Sequence, residues 1–375
     1  MHSSVVLLAF LAFLHATSAW QGGVPVQVQP PKGPVNQAGV TFGTCANNPP
    51  SPQEAVGLIK SLHAQKVRLY APDINILQAL RNTGIEVVLG VPNEEVQNIG
   101  TSQDKANQWI QNYVKNFQDI NFRYIVVGNG ISSLNEHNGQ YAQCLIQAMQ
   151  NIQNAINACG LQNKVKVSTA LDHSIVLNQI HPPSNAVFNP AIKQNFIFPV
   201  LQFLKNNNAP FLINLHPYYS YAFNKPEVPL ELNQGQSQSN RDIRLEYANF
   251  RSASFLVQDG QLKYQNVFDA MVDSVYVALE KAGASSLDVV VAETGWPTCG
   301  GTAADANNAG TFNNNLISHI KRTGTPKRPQ NCVETYIYNL IDEDKRGKEL
   351  EAHWGIFDQN KQARYPISFW SPSDQ

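Results

Sequence analysis

Eight short apolar, β-branched runs recur along most of the chain, and longer segments of helical periodicity separate them. The runs are residues 40–42, 67–70, 87–91, 124–127, 165–171, 211–215, 289–292 and 335–341. Segments 51–64, 102–117, 141–158 and 268–281 carry the helical spacing, and many open with Ser, Asp or Pro, as helix starts do. Strands that alternate with helices join through right-handed crossovers into a parallel sheet. Eight such units in one chain predict an α/β fold, a single closed (β/α)8 TIM barrel. The rival is an open doubly wound sheet. Its dinucleotide-binding version requires a G-x-G-x-x-G loop, which the chain lacks along with a Walker loop.

The N-terminus is not part of that alternation. Residues 5–14 are wholly apolar and lead into Thr17-Ser18-Ala19, so a signal peptide is expected over 1–19 with cleavage after Ala19. The run is too short to cross a bilayer, which takes ~20 apolar residues. A leader rich in Pro, Gly and Gln follows over 20–38, the barrel is expected over 39–370, and 371–375 form a tail. An amide-rich excursion is expected over 226–266. No appended module or membrane anchor is expected, and the destination is secretion, to the cell wall or the vacuole.

Charged residues make up 15% of the chain, against a typical ~25%, and the net charge is −1. Neither a nucleic-acid binder nor a disordered, highly charged chain fits that balance. Five cysteines, Cys45, Cys144, Cys159, Cys299 and Cys332, are an odd number, so at least one has no partner within the chain. Their spacing matches no zinc motif, and the residues imply no metal and no organic cofactor.

In such a barrel the chemistry sits on the loops and strand ends of the C-terminal face. Glu293, directly after the run 289–292, is the sharpest candidate there, because a charge at the end of a buried strand must be solvated, paired or used. It is followed by Gly295, Trp296 and Pro297. A carboxylate beside an aromatic ring suits attack on the anomeric carbon of a sugar. A retaining glycosidase also needs a second carboxyl, ~5 Å away, as acid/base. The fourth run ends in Val126-Val127-Gly128-Asn129-Gly130, with no carboxyl.

The stretch Val289-Val290-Val291-Ala292-Glu293-Thr294-Gly295-Trp296-Pro297 resembles the nucleophile signature of plant glycoside hydrolase family 17. Further matches are Arg68-Leu69-Tyr70, Gly90-Val91-Pro92-Asn93-Glu94, Phe268-Asp269-Ala270-Met271 and Gly324-Thr325-Pro326-Lys327-Arg328-Pro329. The resemblance implies a (β/α)8 barrel and a retaining endo-1,3-β-glucanase acting on β-1,3-glucan of plant or fungal walls, in a defence setting and as a monomer. It implies that Glu293 is the nucleophile, that Asn129 contacts the sugar 2-hydroxyl, and that Tyr70 and Asn93 line the cleft. Glu343 and Glu351 match acidic residues that support the site, and Arg346 stands where the family usually has Lys. Tyr218 and Trp296 are expected to stack on sugar rings.

The departures cluster at the site. Where the family has Gly-Asn-Glu, this chain has Gly128-Asn129-Gly130, so the acid/base position is occupied by Gly130. His216 and Phe42 replace residues that are commonly Tyr. Impaired or lost activity is the expectation, since general acid catalysis supplies ~10²–10⁴-fold in rate. A non-hydrolytic glucan-binding protein, a pseudoenzyme on the same barrel, is the alternative. Glu136, in the loop after Gly130, is the nearest carboxyl in sequence that could stand in.

Overall fold

The computed structural model describes residues 37–178, 180–223 and 243–370. Eight strands form the barrel: β1 (Ala38–Phe42), β2 (Lys66–Leu69), β3 (Glu86–Val91), β4 (Asn121–Asn129), β5 (Lys166–Asp172), β6 (Phe211–Asn214), β7 (Val289–Thr294) and β8 (Glu334–Ile337). Neighbours pair in parallel around the ring, and β1 bonds to β8 to close it. The expected (β/α)8 barrel is the fold observed.

Both faces of these strands are covered, which is why they read as continuous apolar runs rather than alternating ones. All five residues of β1 and all six of β7 are buried. Inside the ring Val88, Tyr124, Val126, Ala170, Leu212, Val290, Ala292 and Tyr336 pack against one another. Gly39 makes room for this filling: a Cβ there would lie 2.6 Å from the Tyr336 ring.

Outside the ring run α1 (Pro52–Ser61), α2 (Ile74–Leu80), α3 (Asn93–Thr101), α4 (Gln103–Tyr113), α5 (Ala142–Ala158), α6 (Phe198–Asn207), α7 (Val267–Lys281) and α8 (Ala306–Arg322). Side chains fix several starts. Ser51 forms a capping box with Glu54, Asn266 caps α7, and Asp305 caps α8. The first two predicted helical segments stop early, α1 at Ser61 and α4 at Tyr113. No described helix is long and apolar enough to cross a membrane.

The signal-peptide segment and the tail lie outside the described residues, as does the leader up to residue 36. Ala38, the last residue assigned to the leader, is instead the first of β1, paired with Thr335. Within the excursion, the described part holds a short helix, Leu245–Ala248, and a hairpin of Val257–Asp259 with Leu262–Tyr264. All five cysteines are unpaired.

The N-terminal end of the barrel is closed by an ion network. Glu334 lies 2.7 Å from Arg123 and 3.3 Å from Lys66, and accepts the Tyr336 and Tyr124 hydroxyls at 2.7 and 3.1 Å. Burial opposes its charge, yet Lys66 and Arg123 hold its carboxyl below the ordinary value. A carboxyl held low in the folded state stabilises above its unfolded pKa and loses that contribution as pH falls through the folded one. Glu334→Ala leaves the buried Lys66 with Glu86 alone and strips Arg123 of its close partner, so a loss of about 3–5 kcal/mol is expected in urea unfolding at neutral pH. A much smaller loss there would show that the network does not hold the barrel floor.

Candidate active site

The C-terminal strand ends place the candidate residues in one row. Asp172 on β5, Asn214 on β6 and Glu293 on β7 are register partners, so their side chains rise side by side at the barrel mouth. Arg68 on β2 stands across the ring, and Asn129 ends β4, the strand beside β5. A cleft of about 440 Å³ opens above Arg68, Asn129 and Glu293. Larger cavities, about 710 and 800 Å³, lie at the opposite end beside Arg123, away from this row.

Glu293 is buried and held from two sides. Arg68 Nη1 lies 3.1 Å from Glu293 Oε1 and also donates to the Ala292 carbonyl at 2.8 Å. Asn129 Nδ2 donates to the same Oε1 at 3.0 Å. Oε2 accepts neither of these bonds. Asn129 is fixed in turn: its Oδ1 accepts from Arg68 Nη2 at 2.8 Å and from Asn214 Nδ2 at 3.0 Å. Asn93, at the start of α3, clamps the Asn129 backbone by accepting its N–H at 2.7 Å and donating to its carbonyl at 3.0 Å. A buried arginine that satisfies four oxygen atoms from three strands sets the position of the whole cluster.

The remaining candidates divide. Tyr70, Asn93, Asn129, Glu293, Arg346 and Glu351 line the cleft. Glu343 does not; it sits buried beneath, accepting from the Tyr338 hydroxyl at 2.8 Å, Arg346 Nε at 2.9 Å and the Cys45 amide at 2.9 Å. It therefore orients Tyr338 and Arg346, which do reach the cleft. Glu351 accepts from the Tyr219 hydroxyl at 2.8 Å.

Tyr218 and Trp296 are not brought to the cleft. Both are fully buried. Their rings pack edge to face at 5.0 Å, and Trp296 Nε1 donates to the Ala303 carbonyl. An aromatic after a strand-end carboxylate has two places to go, and here Tyr221 and Phe312 enclose it. The cleft walls are instead Tyr70 and Tyr219, which are partly exposed, with Tyr338 and Trp354 showing only their edges. Tyr219 is one residue from the Tyr singled out in the sequence, the difference that one step makes within the short helix Pro217–Ala222.

His216 lies between Tyr219 and Trp354, with ring centroids at 5.4 and 5.3 Å, and burial pushes its imidazole below the ordinary value. A depressed imidazole is a poor donor to a leaving oxygen. Glu136 is exposed and does not line the cleft. The loop that carries it is tied down by Asn135, whose side chain donates to the Gly130 carbonyl at 2.9 Å.

Sequence reasoning singled out no role for Arg68, Asn214 or Asp172. Arg68 and Asp172 adjoin strand ends and were within reach of such an argument, but their shared network joins five strands and has no sequence spacing of its own.

Comparison with known proteins agrees with the barrel fold. The chain matches the description of glycosyl hydrolases family 17 over residues 38–369. It is 43% identical to a glucan endo-1,3-beta-glucosidase of Vitis vinifera over 333 residues, 88% of this chain and 91% of that protein. A glucan endo-1,3-beta-glucosidase of Nicotiana tabacum is 40% identical over 340 residues, 90% of each chain. Among solved structures, CJP38, a beta-1,3-glucanase and allergen of Cryptomeria japonica pollen, superposes with a TM-score of 0.81 at 39% identity, over 89% of this chain and 99% of that one. On the match to nearly the whole described barrel, this chain belongs to glycosyl hydrolases family 17.

Proposed function

We propose that this protein is a retaining endo-hydrolase of β-1,3-glucan, with Glu293 as nucleophile, and that it cuts natural glucan slowly. The observation that carries the reading is the pairing of Glu293 with Arg68 and Asn129 at the mouth of the barrel. The names of the Vitis and Nicotiana relatives support the linkage.

The residues divide the work as follows. Glu293 Oε2 attacks the anomeric carbon and forms a glycosyl ester, and water later releases the sugar with retained configuration. Arg68 and Asn129 hold Oε1, which fixes the line of attack. The second hydrogen of Asn129 Nδ2 remains for a sugar 2-hydroxyl. Tyr70 and Tyr219 supply flat faces for the apolar sides of the ring. Slow turnover follows from Gly130, because the carboxyl that would protonate the leaving sugar is missing from that position.

The apolar segment at 5–14 supports secretion, and wall β-glucan supports a defence setting; the acting unit is a monomer. A second reading, glucan binding without turnover, is favoured by Gly130 alone. Reducing-end release from linear β-1,3-glucan, measured beside binding of laminari-oligosaccharides, decides between them. Release below the rate of an enzyme with its acid at position 130 is expected, by the full ~10²–10⁴-fold only where no other group gives the proton. Tight binding with no release would sink the hydrolase, and no binding at all would sink both.

A further inference from the structure

We propose that the Asp172 carboxyl has taken over the proton-donor role that position 130 has lost. The inference rests on the hydrolase reading and names the acid that reading lacks.

The geometry is specific. A Cβ built on Gly130 would lie 2.6 Å from Asp172 Oδ2. The carboxyl of Asp172 therefore occupies the entrance to the space that a side chain at 130 would fill. Gly130 itself receives its place from β5, its N–H donating to the Ala170 carbonyl at 2.9 Å. Asp172 is partly exposed and half-engaged: Oδ1 accepts from Asn214 Nδ2 at 3.0 Å, and no hydrogen bond from another described residue reaches Oδ2. Its register places it one strand from Asn214 and two from Glu293, on the same face.

Other carboxyls serve less well. Glu351 is engaged by Tyr219, Glu94 lines the cleft but is exposed at the start of α3, and Glu136 is exposed and, like Asp172, outside the cleft lining. Burial pushes the Asp172 carboxyl up to about 6, with the Glu293 charge acting in the same direction and the Asn214 hydrogen bond and Arg68 acting against it. These are the charged groups that face it, Glu293 from β7 and Arg68 from β2. The protonated form a donor needs is thus populated in mildly acidic solution.

The step balances. Glu293 Oε2 bonds to the anomeric carbon, and the bond from that carbon to the glycosidic oxygen breaks with its electron pair on oxygen. That oxygen takes the proton of Asp172 Oδ2, directly or through one water in the space left by Gly130. Water then attacks the glycosyl ester, returns a proton to Asp172 and frees Glu293 as carboxylate.

Asp172→Asn keeps an oxygen for the Asn214 bond and removes only the titratable proton, so it separates donor from scaffold. The probes are a laminari-oligosaccharide and a 2,4-dinitrophenyl laminarioside, whose leaving group needs no proton. Expected is a ~10²–10⁴-fold loss on the oligosaccharide with the dinitrophenolate burst kept within ~3-fold. Added azide restores the slowed second step, and the fall of wild-type activity above about pH 6 disappears in the variant. Unchanged oligosaccharide cutting overturns the assignment while leaving the hydrolase standing, and so does an equal loss on both probes. A loss seen in Glu94→Gln instead also overturns it. Wild-type protein that never cuts the oligosaccharide overturns the hydrolase reading itself.

Discussion

Glu293→Gln is expected to lower reducing-end release from β-1,3-glucan by ~10⁴-fold or more, the scale seen when a covalent nucleophile is removed. The effect follows from the mechanism rather than from folding. Gln has the volume of Glu, and its carbonyl can still accept from Arg68 and Asn129, which now meet at one oxygen 3.1 and 3.0 Å away. Truncation to Ala is the poorer variant, because it strands a buried arginine, and breaking a buried pair costs about 3–5 kcal/mol. Calorimetry with a laminari-oligosaccharide checks the other half: affinity is retained, since Tyr70, Tyr219 and Asn93 are untouched. If Glu293→Gln cuts at the wild-type rate, the nucleophile lies elsewhere and the proposed mechanism fails.

Gly130→Glu, the change that the sequence alone suggests for restoring an acid, is expected to disappoint by itself. Gly130 has φ +64°, in the left-handed region, where an L side chain costs roughly 1–2 kcal/mol. Its new Cβ would also press on Asp172 Oδ2 at 2.6 Å, so the aspartate side chain must shift to admit it. The pair Gly130→Glu with Asp172→Ala removes the second conflict and moves the acid back to β4. Relative to Asp172→Ala alone, the pair is expected to gain ~10²–10⁴-fold on natural glucan. Initial rates for the four proteins, with melting temperatures beside them, test this. A single Gly130→Glu as active as the pair would show that Asp172 yields its space at no cost and plays no part.

The outcome at particular residues shows how far a sequence can be read. Strand-end carboxylates are legible because a charge after a buried run stands out, and Glu293 is where that argument placed it. Asn93 and Asn129 carry no charge to mark them, and only the family resemblance drew attention to them. Aromatic neighbours are not legible. Trp296 and Tyr218 follow strand ends as closely as Tyr219 does, yet they turn into the packing between barrel and helices. Which face an aromatic takes depends on partners such as Phe312 and Tyr221, drawn from α8 and from the short helix after β6.

By itself, then, the order of residues determined the eight βα units, the closure they imply and the strand ends where chemistry must sit. Periodicity and burial are local properties, and a local pattern can be read along one strand. The tertiary structure decided which side chains meet. Arg68 joins Glu293, Asn129, Asn214 and the Ala292 carbonyl only because ring closure brings β2 across from β6 and β7. Asp172 comes beside Gly130 only because β5 lies next to β4 in this register. Contacts between residues tens or hundreds of positions apart leave no spacing in the sequence, and the approach of Asp172 to Gly130 is one of them.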